Sequence, residues 1–291
     1  MFAAWPATGH LCCMRAQTVS VIIRDIDTRV NIAYLNTSMN VTGPIRYVEL
    51  FQLLFLDQLG RRLDKRHFAL KGGCNLRFFF KSIRYSEDMD LDAQTVPRDL
   101  LQERVRLILN AKPFSQILKA NGLSVVHWTE PKQTDTTQRW KLNLRADGSA
   151  TPLPTKIEFS RRGMPSGPRV EPVDPELIRS YRLTPILASH YPMEIAYHQK
   201  VGALAHRALT QARDVFDLFW LINSGVNKEL PDDLQECRQK AQGNALAVTF
   251  GTFKSQVLAY LSVSHREQYD SESVWETIQL TVAEALGSTG S

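Results

Sequence analysis

Cysteine is scarce. The chain has four, Cys12, Cys13, Cys74 and Cys237, and no pair has C-x-x-C spacing. That leaves little basis for a zinc site or a disulfide framework, and it fits reduced thiols in a cytoplasm. Long apolar runs are missing too. The best candidate, Val48 to Leu56, falls well short of the roughly 18 residues of a membrane span and sits between Arg46 and Asp57. It reads as a buried helix. The N-terminus, MFAAWPATGHLCCMR, has neither a basic start nor a clean apolar stretch, so no secretory signal is expected. With 15 glycines and 14 prolines, collagen-like and linker-like chains are excluded. There is no internal repeat and no low-complexity tract.

What is present suits a globular protein. At roughly 150 residues per domain, 291 residues make one large domain or two modest ones. A content of 43% hydrophobic and 22% charged residues can bury a real core. Lys and Arg exceed Asp and Glu by 35 to 30, a net charge of +5. This mild excess is compatible with a polyanionic partner but does not select one.

Residues 1–44 are weakly patterned, with Val19 to Arg24 as a strand candidate, and read as an N-terminal extension. Helical spacing runs from Ile45 to Leu63. An apolar run, His67 to Leu70, stops at Gly72-Gly73. Asn75 to Lys81 reads as a short helix and Tyr85 to Asp92 as a strand. Pro97 to Ala120 reads as one long helix, with Asn121-Gly122 after its end. Period-two patterns then mark Leu123 to Trp128, Thr137 to Arg145 and Pro154 to Ser160 as strands. Arg161 to Asp174, rich in Gly and Pro, reads as a loop and a domain boundary. Helical patterns cover roughly 192–208, 211–224, 232–243, 250–263 and 272–286. The expected fold is α+β. A mixed sheet with flanking helices fills 45–174, and a helical bundle fills 175–291.

The chemistry concentrates in LKGGCNLRFFFKSIRYSEDMDLD, Leu70 to Asp92. A strand that ends at Gly72-Gly73 and turns into a helix points backbone N–H groups at one spot, a nest for phosphate oxygens. Lys71 adds a cation. Asp88 and Asp90 stand two apart on a strand and share a face, while Met89 and Leu91 face the core. Two carboxylates on one face need a cation, and hard oxygen ligands suit Mg²⁺. In Lys156-Ile157-Glu158-Phe159, Glu158 points away from the core. If this strand lies beside Tyr85 to Asp92, Glu158 joins the aspartates. Three carboxylates can hold two Mg²⁺ ions about 4 Å apart for in-line phosphoryl displacement. Cys74, beside the nest, reads as a packed thiol. His198 and His206 have no third ligand and read as structural. Arg139, Lys141 and Arg145 have even spacing and would share one strand face, with Arg161 and Arg162 in the loop beyond.

This order of G-G, D-x-D and distant carboxylate resembles the nucleotidyltransferase superfamily of the DNA polymerase β type. The longer wording LKGG…RYSEDMDLD, with QKVGALAHRALTQARDVFDLFWL downstream, resembles the AbiEii toxin family of type IV toxin–antitoxin systems. The resemblance runs from about Val48 to Ile222. It implies Gly72 and Gly73 as the phosphate turn, Ser86, Asp88 and Asp90 as the S-x-D-x-D motif, and Lys200 as the lysine of the triphosphate. Arg213-Asp214 match the family's R-D pair and Asp217 the following D-L. Asp88, Asp90, Lys200 and Asp214 are thereby the expected catalytic residues. Cys74-Asn75 departs from the family's small residue or threonine followed by alanine. Lys200 and Arg207, seven apart on a helical pattern, would close over a triphosphate. The resemblance implies Mg²⁺, an NTP, an RNA acceptor such as the tRNA 3′ end, and an antitoxin, typically a transcriptional regulator; no membrane partner is expected. Transfer to a protein or small molecule, and a non-catalytic nucleotide- or RNA-binding module, are the alternatives.

Overall fold

Every residue of the helix Pro44–Arg62 (α1) from Val48 to Leu56 is buried, so this stretch is packed on all sides rather than along one stripe. Pro44 suits a first helical turn, where its missing N–H has no partner to lose. The computed structural model describes residues 43–164 and 167–287. The strand expected at Val19 to Arg24 and almost all of the extension expected over 1–44 lie outside the described residues. From Gly43 on, the chain forms one compact unit.

After α1 come strand β1 (Phe68–Lys71), helix α2 (Gly72–Phe79), strand β2 (Asp88–Ala93), helices α3 (Arg98–Leu109) and α4 (Lys112–Ala120), and strands β3 (Leu123–Gln133), β4 (Thr137–Ala146), β5 (Leu153–Ser160) and β6 (Arg169–Pro172). Helix α5 (Pro175–Ser180) and strand β7 (Leu187–His190) complete the sheet. Its order is β3-β4-β5-β2-β1-β7-β6. The pairs β2–β5 and β1–β7 are parallel and the others antiparallel. The regular elements of the remaining described residues are helices: α6 (Met193–His206), α7 (Ala212–Asn223), α8 (Asp232–Gln235), α9 (Arg238–Leu246), α10 (Phe250–Gln256), α11 (Val263–Tyr269) and α12 (Glu272–Gly287). One core joins α1, α3 and α4 to a face of the sheet through Phe51, Phe55, Leu91, Trp140 and Phe159. A second lies among the C-terminal helices around Phe216, Phe253 and Trp275, and takes in Leu76 and Ile83 from the chain after the glycine turn. The expected α+β class is the class observed.

Several local expectations are corrected. The helix expected over 97–120 is two helices that part at Asn110-Ala111. Pro113 lacks an N–H and its ring would clash with the carbonyl of Leu109 in a continuous helix, so it sits instead in the first turn of a new one. The segment 161–174 is not all loop: Arg169–Pro172 pairs antiparallel with β7 as the sheet's edge. The sheet therefore extends to His190, past the boundary expected at 174. The short helix expected from Asn75 starts at Gly72, so the glycines belong to its first turn. The C-terminal patterns 232–243 and 250–263 are broken into shorter helices and a 3₁₀ turn at Leu258–Tyr260.

A buried ion pair fixes α2 against α1. Arg77 Nε donates to Glu49 Oε1 at 2.6 Å, and Tyr181 Oη donates to Glu49 Oε2 at 2.6 Å. Both charged side chains are almost fully buried. Removing one partner of such a pair leaves the other charge uncompensated, at a cost of about 3–5 kcal/mol. Glu49→Ala should therefore lower stability by about 3 kcal/mol, and adding Arg77→Met should recover part of the loss, as urea unfolding of the two variants would show.

Candidate active site

The site begins where β1 becomes α2. Gly72 has φ of 67°, a left-handed conformation that favours glycine. A Cβ on it would stand 3.4 Å from Asp90 Oδ2, so the turn abuts that carboxylate. At Gly73 a Cβ would lie 2.8 Å from Ser86 Oγ and 2.9 Å from Arg84 Nη2. Those distances are too short for any side chain, so glycine is required for the Arg84–Ser86 segment to close on the turn. Ser86 Oγ donates to the Asp88 carbonyl at 2.8 Å. Gln52 Nε2, from the buried α1, donates to the Ser86 and Glu87 carbonyls, and Thr155 Oγ1 donates to the latter at 2.7 Å. This segment, irregular in its backbone, is thus held by side chains on both flanks.

The parallel register of β2 and β5 sets Asp88 opposite Lys156 and Asp90 opposite Glu158. Met89, Leu91, Ile157 and Phe159 are fully buried in the core. Alternation then puts Asp88, Asp90, Lys156 and Glu158 together on the other face. Lys156 Nζ lies 3.2 Å from Asp88 Oδ2, 3.6 Å from Glu158 Oε2 and 3.9 Å from Asp90 Oδ1. Arg139 Nε donates to Glu158 Oε2 at 2.6 Å. Burial pushes the Asp90 carboxyl up; Lys156 opposes this, and Asp88 and Glu158 add to it. Burial also raises Glu158, but Arg139 and Lys156 outweigh it and hold that carboxyl below its ordinary value. Burial lowers Lys156, yet the three carboxylates outweigh it and keep its ammonium charged. Among the described residues no three His, Cys, Asp or Glu side chains are arranged as a metal-binding set. The donors themselves, carboxylate oxygens from neighbouring strands, are of the kind Mg²⁺ takes.

Lys71 was expected as a cation beside the nest. Its ammonium is instead ion-paired with the buried Asp92, which also accepts from Tyr191 Oη at 2.8 Å. Lys200 and Arg207 likewise have anionic partners. Lys200 Nζ lies 2.9 Å from Asp214 Oδ1 and 2.6 Å from Asp217 Oδ2, and Arg207 Nε lies 2.9 Å from Asp214 Oδ2. Arg207 stands just past the end of α6 rather than within it. Arg84 donates to both oxygens of Asp217, at 3.0 and 2.8 Å. Of the two fully buried aspartates of α7, Asp217 therefore links Lys200 to Arg84 and Asp214 links Lys200 to Arg207, and Arg84 rests on Gly73. Cys74 is a packed thiol, 3.2 Å from the Asp88 carbonyl, and burial holds its pKa well up. Asn75 donates to the Tyr191 carbonyl and meets His190, which ties α2 to β7. His206 contacts Cys237, and among the described residues no third ligand completes a metal site there.

Three contributors lie outside the motifs. Lys156 was legible, since it stands two residues before Glu158 on a strand. Arg84 stands two before Ser86, but only the fold brings Asp217 to it. Tyr260 comes from the last sixty residues; its hydroxyl donates to Glu87 Oε2 at 2.9 Å, and its carbonyl accepts from Tyr85 N–H. Arg139, Lys141 and Arg145 do share the face of β4 opposite Trp140, Leu142 and Leu144. Arg161 is committed to the Val96 carbonyl and the Gln138 side chain.

Burial raises the Asp217 carboxyl, but Arg84 and Lys200 outweigh it and hold its pKa at about 2. Against an ordinary aspartate near 3.8, the depressed value contributes stability that is present above pH 4. It is lost as pH falls towards 2 and amounts to about 2 kcal/mol. Asp217→Asn should lower stability at pH 7 by at least that much and flatten the loss between pH 4 and 2. Urea unfolding across that range measures both effects.

Comparison with known proteins follows the same lines. The family model described as "Nucleotidyl transferase AbiEii toxin, Type IV TA system" matches residues 54–272, most of the chain and further towards the C-terminus than the motifs alone reach. No curated protein sequence matches. Among solved structures, MenT4, a nucleotidyltransferase toxin of Mycobacterium tuberculosis H37Rv, is similar with a TM-score of 0.62 at 17% identity, over 84% of this chain and 85% of that one. JHP933 from Helicobacter pylori is similar with a TM-score of 0.55 at 18% identity, over 85% of this chain and 95% of that one. At such identities these structures establish a shared fold. The family match, over a glycine turn set against a D-x-D strand and a neighbouring glutamate, identifies the chain as a nucleotidyltransferase of the AbiEii toxin family of type IV toxin–antitoxin systems.

Proposed function

We propose that the protein transfers a nucleoside monophosphate from an NTP to the 3′ hydroxyl of an RNA, with the tRNA 3′ end as acceptor, and that this arrests translation in the cytoplasm until an antitoxin intervenes. The observation that carries the reading is the joint position of Gly72, Asp88, Asp90 and Glu158. A glycine turn lies directly against Asp90, which the parallel register sets beside Glu158 of the neighbouring strand.

In this reading the backbone N–H groups at Gly72 and Gly73 receive phosphate oxygens, and the Ser86 hydroxyl fixes the Asp88 backbone beside them. Asp88 and Asp90 would hold Mg²⁺, with Glu158 as a further ligand, and the ion would neutralise charge on the triphosphate. The acceptor oxygen attacks the α-phosphorus, the bond to the β-phosphate bridge breaks, and pyrophosphate leaves. Asp90 takes the hydroxyl proton. Lys156 touches both Asp90 and Glu158, but Glu158 is held by Arg139 as well, which leaves Asp90 the freer carboxylate. Lys200 has three N–H donors. Asp214 and Asp217 engage two of them, so one remains for a β- or γ-phosphate, with Arg207 beside it at Asp214.

The face of β4 continues the site outward. Lys141 lies opposite Lys156, and Lys132 of β3 lies opposite Arg139. With Arg145 they make a basic surface suited to a phosphodiester backbone. Family membership implies an antitoxin, which we take to be a transcriptional regulator.

Asp88→Asn and Asp90→Asn should each reduce transfer by at least about a hundredfold without loss of folding. The assay is incubation with each labelled NTP, Mg²⁺ and total tRNA, read on a gel. Label on protein instead of RNA would redirect the acceptor assignment. Replacing Lys141 and Arg145 together by Ala should reduce the slope of log affinity against log salt for tRNA by about one to two units and leave NTP binding alone. Identical slopes for parent and variant would remove this surface from the RNA interface.

A further inference from the structure

Lys156 has no part in the motifs, yet it is the side chain in contact with all three carboxylates. Its ammonium stands within 4 Å of Asp88, Asp90 and Glu158. Two features place it there. Lys156 is directly opposite Asp88 in the parallel register, so its stem starts beside that aspartate. It also shares a strand face with Glu158, two residues on. Arg139 approaches Glu158 from the opposite neighbour, β4. The ammonium is thus enclosed by anions in the region where their oxygens converge. Three carboxylates brought this close repel one another unless a cation lies between them, and in this arrangement that cation is Lys156.

We propose that Lys156 is an internal counter-ion of the carboxylate site, and that a divalent cation binds Asp88 and Asp90 only by displacing its ammonium. The inference rests on the metal-site reading above and adds a competitor to it. An ammonium and Mg²⁺ call for the same oxygens, and their like charges exclude one another at this spacing. Lysine suits the exchange. Its charge sits on a flexible four-carbon stem, so the head group can leave while the strand stays in place. The half-buried side chains of Asp88 and Asp90 leave a path from solvent. Two consequences follow. The carboxylates are compensated before any metal arrives, so the sheet does not depend on metal to fold. Metal affinity is also set lower than three carboxylates would otherwise give.

The test is direct binding of Mn²⁺ to chelator-stripped full-length protein, followed by electron paramagnetic resonance, with thermal unfolding as a second readout. Lys156→Met keeps the length and removes the charge. It should bind Mn²⁺ at least about tenfold more tightly than the parent and show a lower Tm without metal and a larger rise in Tm on adding Mn²⁺. Lys156→Arg retains the charge and should stay within about threefold of the parent. Equal or weaker Mn²⁺ binding by Lys156→Met would overturn the proposal, and so would a matching gain in Lys156→Arg, which would assign the effect to packing. If Lys156→Met is too unstable to titrate, it is combined with Glu158→Gln, which removes one of the repelling charges. Tighter Mn²⁺ binding by this double variant than by Glu158→Gln alone supports the proposal, and equal binding overturns it. Asp88→Asn serves as the control for the underlying reading. If it leaves Mn²⁺ binding intact in both parent and Lys156→Met backgrounds, the carboxylates are not the metal site at all. If it abolishes binding while Lys156→Met matches the parent, only the role of Lys156 fails.

Discussion

Like-charge repulsion among three carboxylates is the constraint around which this protein is arranged. Asp88, Asp90 and Glu158 converge because β2 and β5 run parallel in a register that sets Asp90 beside Glu158. Their neighbours Met89, Leu91, Ile157 and Phe159 are locked in the core. A slip of one residue would turn the charges inward and the core residues outward. Apolar packing on one face therefore maintains an electrostatically unfavourable cluster on the other. Lys156 and Arg139 hold the cluster together from β5 and β4.

A second charged cluster lies behind the glycine turn. The Asp217–Arg84 pair is bidentate and almost completely buried, and it shares Asp217 with Lys200. Exchanging such a pair as a whole for apolar groups changes stability little, because desolvation offsets the attraction, although removing one partner alone is costly. The value of the pair is geometric. Arg84 is pressed against Gly73 on one side and tied to α7 on the other. The helical core takes up Leu76 and Ile83 from the same stretch. Sheet, helix and ion cluster all bear on the glycine turn and fix the direction of its backbone.

Sequence and structure differ most where local pattern competes with long-range packing. Period-two alternation revealed which residues of β2, β4 and β5 face the core, and hence that Asp88, Asp90 and Glu158 point away from it. It did not reveal β6 or β7, which are only four residues each and lie among prolines. Strands that short carry too little periodicity to be distinguished from loop, and they exist because β1 and β7 supply partners for them. The single helix expected over 97–120 failed at a local signal, Pro113, which apolar periodicity on both sides had masked.

By itself the sequence determined the α+β class, the glycine turn, the D-x-D face and the family, because each depends on residues close together or on a motif of fixed spacing. Only the tertiary structure decided the partners. It placed Lys156 among the carboxylates, paired Lys71 with Asp92, and committed Lys200 and Arg207 to Asp214. It also brought Tyr260 to Glu87 across 173 residues of chain. The reason is physical. A carboxylate's chemistry is written in its residue type, but whether a lysine meets a phosphate or an aspartate depends on distances of a few ångströms between elements far apart in the chain. Those distances are set by how the two cores pack.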